Sequence, residues 1–314
     1  MDMKPRVVVS KCMGFCHCRY DGQTLPDKFV QGLEPYVDYI KVCPEVEIGL
    51  GVPRESVRLI FENDRLELYQ PGSGLIHTEA MDKYSHQLLS NLGEVDGFIL
   101  KGRSPSCGIK DVKAYYGREK GVGSFKAVGR FAQHVFDYFP NSAIEEEGRL
   151  TNFTIREHFL TKLYANMKLR DVSTIGKLVD FHSSYKYILL AYNESEMRVL
   201  GKIVAEGGKG DFKDVLRDYK EHFGKALSKP PRDRSYGNAL MHIMGHFSEE
   251  LSRDEKEFIL NSFEKFKGGR VHIGVPVNLL RSYVIKYKKD YLLKQVIWEP
   301  FPEELLDIRD TGNK

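Results

Sequence analysis

The chain has 314 residues, of which 41% are hydrophobic and 29% are charged, and its formal net charge is +3. This length accommodates two domains of ordinary size, and the composition is that of a globular protein. The sequence contains no apolar run long enough to cross a membrane and no apolar signal segment before the first strand, so we expect a cytoplasmic protein without a membrane partner.

The two halves of the chain differ in charge. Residues 1–154 carry 19 Lys/Arg and 21 Asp/Glu, whereas residues 155–314 carry 28 and 23. The second half is therefore mildly basic, which permits a polyanionic partner. An ordinary solvated surface is the simpler explanation of the same excess.

Short apolar strands alternate with polar helical segments over residues 5–130. This alternation predicts an α/β fold with a mostly parallel sheet and helices on both faces. Thr78 is a plausible N-cap for one of the helices. The predicted strands cover residues 7–9, 39–42, 96–100 and a pair within 57–67, and the predicted helices cover residues 26–39, 78–92 and 126–139.

Helical periodicity dominates the chain from about residue 155 onward. We expect an α/β domain over residues 1–150, a helical linker over 151–184 and a mainly α-helical domain over 185–314. The predicted helices cover residues 155–171, 174–191, 194–206, 211–227, 237–251, 253–266 and 276–296.

Five cysteines stand at positions 12, 16, 18, 43 and 107. An odd number, clustered near the N-terminus, does not fit a secreted disulfide framework, so we expect metal binding or chemistry and no disulfide-linked partner. Cys12, Cys43 and Cys107 each follow a predicted strand. The carboxyl ends of parallel strands meet at one edge of a sheet, so these three side chains can converge.

Three convergent thiolates can hold an iron–sulfur cluster. Such clusters usually take four cysteines, so one iron would keep an open position, which suits a Lewis acid that binds a soft substrate sulfur. Two alternatives remain open. One is a cramped zinc site from Cys12, Cys16, Cys18 and His17, and the other is that the cysteines are small buried hydrophobes.

Three motifs together resemble the thiouracil desulfidase family over roughly residues 5–150. They are SKCMG with CRYDG (residues 10–22), VCPE with GLGVPR (42–54) and KGRSPSCG (101–108). Segments 181–192, 236–247 and 275–302 are similar to the helical domain that often follows in this family. The fused arrangement resembles the bacterial desulfidases that remove sulfur from 4-thiouridine in tRNA.

The resemblance implies a [4Fe–4S] cluster on Cys12, Cys43 and Cys107. The remaining iron takes the thiocarbonyl sulfur, and water replaces this sulfur at the ring carbon with release of sulfide. Glu45 and Ser104 match the assisting glutamate and serine of the family, and the enzyme is expected to be sensitive to oxygen. Cys16 and Cys18 have no assigned role, although Cys16 is close enough to compete with Cys12 as a ligand.

The residue types are compatible with these roles. A carboxylate at Glu45 can activate water or pass a proton to the departing sulfur. The hydroxyls of Ser104 and Ser106 can orient substrate or donate to cluster sulfur. Lys101 and Arg103 can bind an anionic pyrimidine oxygen or a phosphate. Each residue also has a purely structural explanation. Glu45 can form an ion pair on its loop, the two serines can be ordinary turn residues, and Lys101 and Arg103 can be plain surface charges.

Aromatic and basic residues are interleaved in the helical half, as in surfaces that stack bases and hold phosphates. A solvated face of an amphipathic helix is the alternative. His242 and His246 stand one helical turn apart, and we expect core packing or a substrate contact there, not a metal. The interleaved residues are Tyr185, Tyr187, Tyr192, Tyr283 and Tyr287 with Lys186, Arg281, Lys286, Lys288 and Lys289.

The cysteine pattern and the family resemblance therefore predict a [4Fe–4S]-dependent desulfidase that acts on thiolated uracil, with 4-thiouridine in tRNA as the favoured substrate. The expected partner is thiolated tRNA or a small thiolated pyrimidine. Desulfuration of free thiouracil or thionucleotides only, and insertion of sulfur into tRNA by the same cluster chemistry, are the alternative activities. A nucleic-acid-binding module with structural zinc is the alternative outside enzymes.

Overall fold

The computed structural model describes residues 3–119, 121–307 and 309. They form two compact units: the first comprises the described residues up to Phe159 together with Arg309, and the second begins at Leu160. The first is an α/β unit and the second is helical, as the sequence predicts. The finer division into residues 1–150, 151–184 and 185–314 stays a prediction.

The α/β unit contains nine strands and five helices among the described residues, with the last helix crossing the division between the units. The strands are β1 (Arg6–Ser10), β2 (Asp38–Val42), β3 (Arg58–Glu62), β4 (Arg65–Gln70), β5 (Leu75–Ile76), β6 (Gly97–Leu100), β7 (Val112–Tyr115), β8 (Ser124–Ala127) and β9 (Ala143–Glu146). The helices are α1 (Lys28–Leu33), α2 (Pro44–Glu47), α3 (Thr78–Asn91), α4 (Arg130–Tyr138) and α5 (Phe153–Arg170).

A parallel four-stranded sheet organises this unit, in the order β2-β1-β6-β9. The register places Val8 of the inner strand β1 opposite Ile40 and Phe98. Val7, Val8 and Val9 are fully buried, as expected for a parallel strand covered on both faces.

A second, mixed sheet in the order β5-β4-β3-β7-β8 was not predicted. The sequence indicates the β3–β4 pair, but the partner β7 lies more than forty residues further along the chain, and its pairing is a non-local contact. Leu59 and Ala114 of this sheet share one core with Val8 and Phe98 of the parallel sheet. The same core takes in Phe131 of α4, so the two sheets and this helix are stabilised together.

Three local predictions were wrong. Thr78 is not an N-cap: it is the first residue of α3, and its Oγ1 accepts a bond of 2.8 Å from the Leu68 amide. The helix predicted over 126–139 begins only at Arg130, because the preceding residues pair in β8. The helix predicted over 26–39 ends at Leu33 and passes into a 3-10 turn over Glu34–Tyr36, because Pro35 has no amide hydrogen to continue the α-helical bonds and the chain enters β2 at Asp38.

The described part of the helical unit contains α6 (Ile175–Tyr192), α7 (Glu194–Glu206), α8 (Phe212–Ala226), α9 (Asp233–Gly245), α10 (Arg253–Lys267), α11 (Gly274–Lys286) and α12 (Asp290–Leu293). Side chains of Thr174, Asn193 and Asp211 cap α6, α7 and α8, and Ser252 begins α10 with a capping box. The single helix predicted over 276–296 is split, because Lys288 adopts φ 51°. In the part of the chain that the structure describes, none of the helices combines the length and apolar character needed to span a bilayer.

Aromatic rings fill the centre of the helical unit. Phe223 is 1% exposed, and its ring centroid lies 5.3 Å from Phe181 and 5.9 Å from Tyr185. We expect Phe223→Ala to reduce the free energy of unfolding of this unit by about 3–5 kcal/mol, because it removes contacts and leaves a cavity.

Phe258→Ala is the matched control, because Phe258 is 63% exposed. Its effect should stay within about 0.5 kcal/mol. Fluorescence of Trp298, the chain's one tryptophan, during urea denaturation measures both variants, since this residue lies in the helical unit. Equal losses in the two variants would contradict this description of the core.

Candidate active site

A cavity of about 340 Å³ opens at the carboxyl edge of the parallel sheet. Cys12, Cys43 and Cys107 line it, and they follow β1, β2 and β6 respectively. The structure thus brings together the three cysteines that the sequence places after strands. Cys18 joins them on the cavity wall, whereas Cys16 is exposed and does not line it.

The Cys43 segment turns directly from strand to helix. Pro44 occupies the first turn of α2, and the Cys43 carbonyl accepts bonds of 3.0 and 3.1 Å from the amides of Val46 and Glu47. Proline has the backbone φ of a helix start and needs no amide partner there. This turn fixes where Cys43 and Glu45 stand relative to the cavity.

The Cys107 loop is held by its own backbone and side chains. Ser104 Oγ accepts bonds of 3.2 and 3.1 Å from the amides of Ser106 and Cys107. The Gly129 amide donates to the Gly108 carbonyl at 2.8 Å, and a Cβ at Gly129 would lie 2.6 Å from the Ser106 carbonyl oxygen. Only glycine fits this approach, which packs the loop against the start of α4.

The four thiols of the cavity lie in different electrostatic surroundings. A hydrogen bond from Cys18 lowers the pKa of Cys43, against the effect of burial. Burial is the main cause that raises the pKa of Cys12 to about 11, and it also raises the pKa of Cys107. Cys43 is therefore the thiol in this set whose thiolate the protein itself favours most.

Glu45 is the acceptor at the centre of a side-chain network. Arg54 donates to its Oε2 from Nε at 3.1 Å and from Nη2 at 2.6 Å. Ser106 donates to Oε1 at 3.0 Å, and Ser104 lies 3.4 Å from the same oxygen. Arg54 and Glu45 side chains are only 4% and 14% exposed, so the carboxylate is fixed in place while one edge still faces the cavity.

Arg54 is a site residue that the sequence reasoning missed. Its Nη1 also donates to the carbonyls of Cys18 and Gly51, at 3.0 and 2.9 Å. One guanidinium thus ties the Cys18 loop and the Gly51 loop to the carboxylate of Glu45. The available signal was its place at the end of GLGVPR, but nothing in that spacing indicates which carboxylate it meets.

The predicted substrate-binding residues lie in three different surroundings. Lys101 lines the cavity, but its Nζ forms an ion pair with Glu147. Arg103 is exposed at the cavity, and among the described residues no carboxylate pairs with it. Ser106 is fully buried and is absent from the cavity wall, which favours a role in orienting Glu45 over contact with substrate.

The chemistry of the donor set suits an iron–sulfur cluster, because the cavity wall offers cysteine thiols, which are the usual ligands of such clusters. Among the described residues, no three His, Cys, Asp or Glu side chains are arranged to hold one metal ion. A cluster spreads its thiolates further apart, because each thiolate binds a different iron. Cys16 is exposed, and neither it nor His17 lines the cavity. The cramped zinc site predicted as an alternative therefore has no geometric support here.

The aromatic surface predicted in the helical unit is partly wrong. Tyr185 and Tyr187 are each 1% exposed and belong to the hydrophobic core, so they are not available to stack bases. Their burial follows from the apolar face of α6, which the interleaved pattern does not reveal. The Tyr187 hydroxyl lies 2.7 Å from Nε2 of His246, which accounts for that histidine structurally.

Soft thiol donors and a fixed carboxylate thus share one cavity at the carboxyl edge of a parallel sheet, which is where open α/β sheets place their ligand sites. Residues 7–147 match the family model described as 2-thiouracil desulfurase, and residues 186–302 match that of a protein of unknown function, DUF1722. The first unit is thus a domain of the 2-thiouracil desulfurase family, an enzyme family, and it precedes a DUF1722 domain.

Two curated proteins and one solved structure are similar to parts of the chain. The uncharacterized protein YbgA of Escherichia coli (strain K12) is 28% identical over 140 residues, which cover 44% of this chain and 82% of that protein. The uncharacterized protein YbbK of Bacillus subtilis (strain 168) is 29% identical over 109 residues, covering 32% and 72%. The solved structure is the [4Fe-4S]-dependent thiouracil desulfidase TudS, at 25% identity, with 47% of this chain and 93% of that chain covered and a TM-score of 0.36.

The network around Glu45 gives a stability prediction. We expect Arg54→Ala to cost about 3 kcal/mol in unfolding free energy of the α/β unit, because it leaves a mostly buried carboxylate without its cation. Adding Glu45→Gln should recover part of that loss, since the neutral amide needs no counter-charge. Urea-dependent hydrogen exchange of peptides from β1 and β6 measures the unfolding free energy of the two single variants and of the double variant. If the losses of the single variants simply add in the double variant, Arg54 and Glu45 are not coupled.

Proposed function

We propose that this chain is a [4Fe–4S]-dependent desulfidase that removes sulfur from thiolated uracil, with 4-thiouridine in tRNA as its substrate. The observation that carries the proposal is the presence of Glu45 and three strand-end cysteines in one cavity. The family of the α/β unit supports the reaction class.

Cys12, Cys43 and Cys107 would hold the cluster. All three are thiol donors on one cavity wall, and each is placed by a different loop at the sheet edge. When bound with three protein ligands, the cluster supplies an iron with an open position, which accepts a soft sulfur ligand. Cys18 lies on the same wall and is not needed for this assignment.

Glu45 moves the protons of the reaction. The thiocarbonyl and one water become a carbonyl and hydrogen sulfide, so both protons of the water finally leave with sulfur. Glu45 takes one proton as the water oxygen attacks the ring carbon and passes it to the sulfur. It then takes the second proton from the new hydroxyl group as the carbonyl forms and the C–S bond breaks, and it passes this proton to the departing hydrosulfide, which leaves as hydrogen sulfide. The 3.4 Å contact from Ser104 is the weaker bond on Oε1, and it can yield to the attacking water.

Arg54 and Ser106 position this carboxylate by donating to its two different oxygens. The Ser106 side chain is fully buried and absent from the cavity wall, whereas the Arg54 side chain is 4% exposed and lines the cavity. Ser104 lines the cavity beside them and can orient the water. Arg103 offers an uncompensated cation at the opening for an anionic pyrimidine oxygen or a nucleotide phosphate.

The appended helical domain supports an RNA substrate, because its half of the chain is mildly basic. An anaerobic assay of reconstituted protein against tRNA carrying 4-thiouridine and against free 2-thiouracil tests this. Loss of thiocarbonyl absorbance and release of sulfide are followed together. Turnover of tRNA supports the proposal, and turnover of the free base alone would remove RNA from it. A gain of thiocarbonyl absorbance in unmodified tRNA would indicate sulfur insertion instead.

The ligand assignment predicts a contrast between two cysteines. Cys43→Ala should abolish both the brown colour of the reconstituted protein and its turnover, whereas Cys16→Ala should keep both, because Cys16 is outside the cavity. Iron and acid-labile sulfide analysis measures loading independently of activity. A colourless Cys43→Ala variant with full turnover would contradict the mechanism.

If Glu45 carries the proton and is not a cluster ligand, its substitution should reduce catalysis without reducing cluster loading. Glu45→Gln should retain the cluster and lose about 10²–10⁴-fold in kcat, because the amide preserves the size of the side chain but cannot carry the proton. Visible absorbance reports loading, and single-turnover kinetics report the chemical step. Unchanged kcat at full loading would show that another group moves the proton.

A further inference from the structure

A second cavity, of about 770 Å³, lies wholly within the helical unit. It is bordered by the junction of α6 and α7, the segment that follows α8, the first turns of α9 and the end of α10. This place coincides with the Lys229-Pro230-Pro231 interruption of the helical pattern. The cavity contains none of the residues assigned above to desulfuration.

The wall of this cavity is strongly basic. Four cations and one carboxylate line it, and the carboxylate, Glu194, pairs with Arg198 at 2.7 Å. Lys229, Arg232 and Arg234 are exposed, and none of them forms an ion pair with any residue that the structure describes. Three positive charges therefore face solvent in one concave site without compensation, which attracts an anionic ligand.

The neutral groups of the wall complement these charges. Ser228, Ser235 and Asn238 also line the cavity and supply hydrogen-bond donors. Two consecutive prolines fix the backbone φ between Lys229 and Arg232, so less conformational freedom is lost on binding. Arginine and lysine together with hydroxyl and amide donors are the groups that bind phosphate oxygens of nucleic acids.

The sequence also favours the basic residues near the end of α11 as a phosphate-binding surface, but most of these residues already form ion pairs with carboxylates. Lys286 pairs with Glu255 at 3.3 Å, and Lys289 pairs with Glu250 at 2.6 Å. A phosphate there would compete with these carboxylates. The cavity after α8 has no such competition, so charge alone favours it over the α11 surface.

We propose that the cavity after α8 binds phosphodiester groups of the RNA substrate. This inference deepens the proposed function and rests on its RNA substrate. The two sites then have separate tasks: the α/β unit carries out the chemistry at the thiolated base, and the helical unit holds the backbone. Contacts to phosphate carry no sequence information, so the cavity provides affinity and not base selection.

Binding of a fluorescein-labelled, unmodified tRNA transcript to the full-length protein tests this, because no sulfur chemistry is involved. In the triple variant Lys229→Gln, Arg232→Gln and Arg234→Gln, we expect affinity at low salt to fall at least about tenfold. The slope of log K against log salt concentration should become shallower by about 2, as three phosphate contacts release fewer counterions.

The triple variant Lys286→Gln, Lys288→Gln and Lys289→Gln removes the same formal charge from the α11 end and serves as the matched control. It should bind tRNA as the wild type does, with the wild-type salt slope. Fluorescence of Trp298 and far-UV circular dichroism establish that both variants are folded. The single variant Arg234→Gln, which should show a smaller loss in the same direction, covers the case of a poorly folded triple variant.

The outcomes separate failure of this inference from failure of the proposed function. If the Lys229, Arg232 and Arg234 variant binds with wild-type affinity, or if the α11 control loses as much affinity, the cavity does not bind phosphate. Neither result affects the proposed desulfidase activity. If the wild-type protein desulfurates 2-thiouracil but does not bind the transcript, both the RNA substrate and the phosphate-binding role of the cavity are wrong. Selective loss in the variant of the cavity after α8 supports the site even if the sulfur chemistry proves different.

Discussion

Parallel pairing of β1 with β2 and β6 is the constraint on which the site depends. It sends three strand ends to the same edge of the sheet, so residues 31 and 64 positions apart meet in one cavity. β1 is the inner strand of this arrangement, and its fully buried valines anchor the register. A shift of that register by one residue would turn the side chains of the strand to the opposite faces and misplace Cys12.

A second constraint acts on charge. Glu45 stands at the start of a short helix and beside thiols that become thiolates when they bind metal, and negative charge in one small cavity is unfavourable. Arg54 supplies the compensating positive charge and reaches two loops as well as the carboxylate. The site thus combines soft thiol donors with a fixed hard carboxylate, which are the two kinds of group that the proposed desulfuration uses.

Much of this could be predicted from the sequence because the signals are local. The continuous apolar run Val7–Val9 indicates a strand that is buried on both faces, and the helical segments after residue 155 show the period of 3.6 residues that a helix with one buried face requires. Convergence of Cys12, Cys43 and Cys107 followed from a general rule about parallel strand ends. The roles of these residues as ligands, and of Glu45 and Ser104 in catalysis, stay predictions.

The features that were missed or wrongly predicted depend on contacts between residues that are separated along the chain. The β3–β7 pairing that builds the second sheet, the bond from Leu68 to Thr78 and the partner of Arg54 all join residues without a local signal. Tyr185 and Tyr187 looked like a binding surface in sequence because their neighbours are basic, but packing against α8 and α9 places them in the core. Which cations lack an ion pair depends on where the fold brings the carboxylates, so the unpaired cations after α8 could be recognised only from the structure.

The most direct test of the central claim is the origin of the oxygen in the product. A single turnover of the reconstituted enzyme with 4-thiouridine in H₂¹⁸O, analysed by mass spectrometry, should give uridine with one ¹⁸O atom and one equivalent of sulfide. Uridine without ¹⁸O, or sulfide in less than stoichiometric yield, would contradict replacement of sulfur by water at this site.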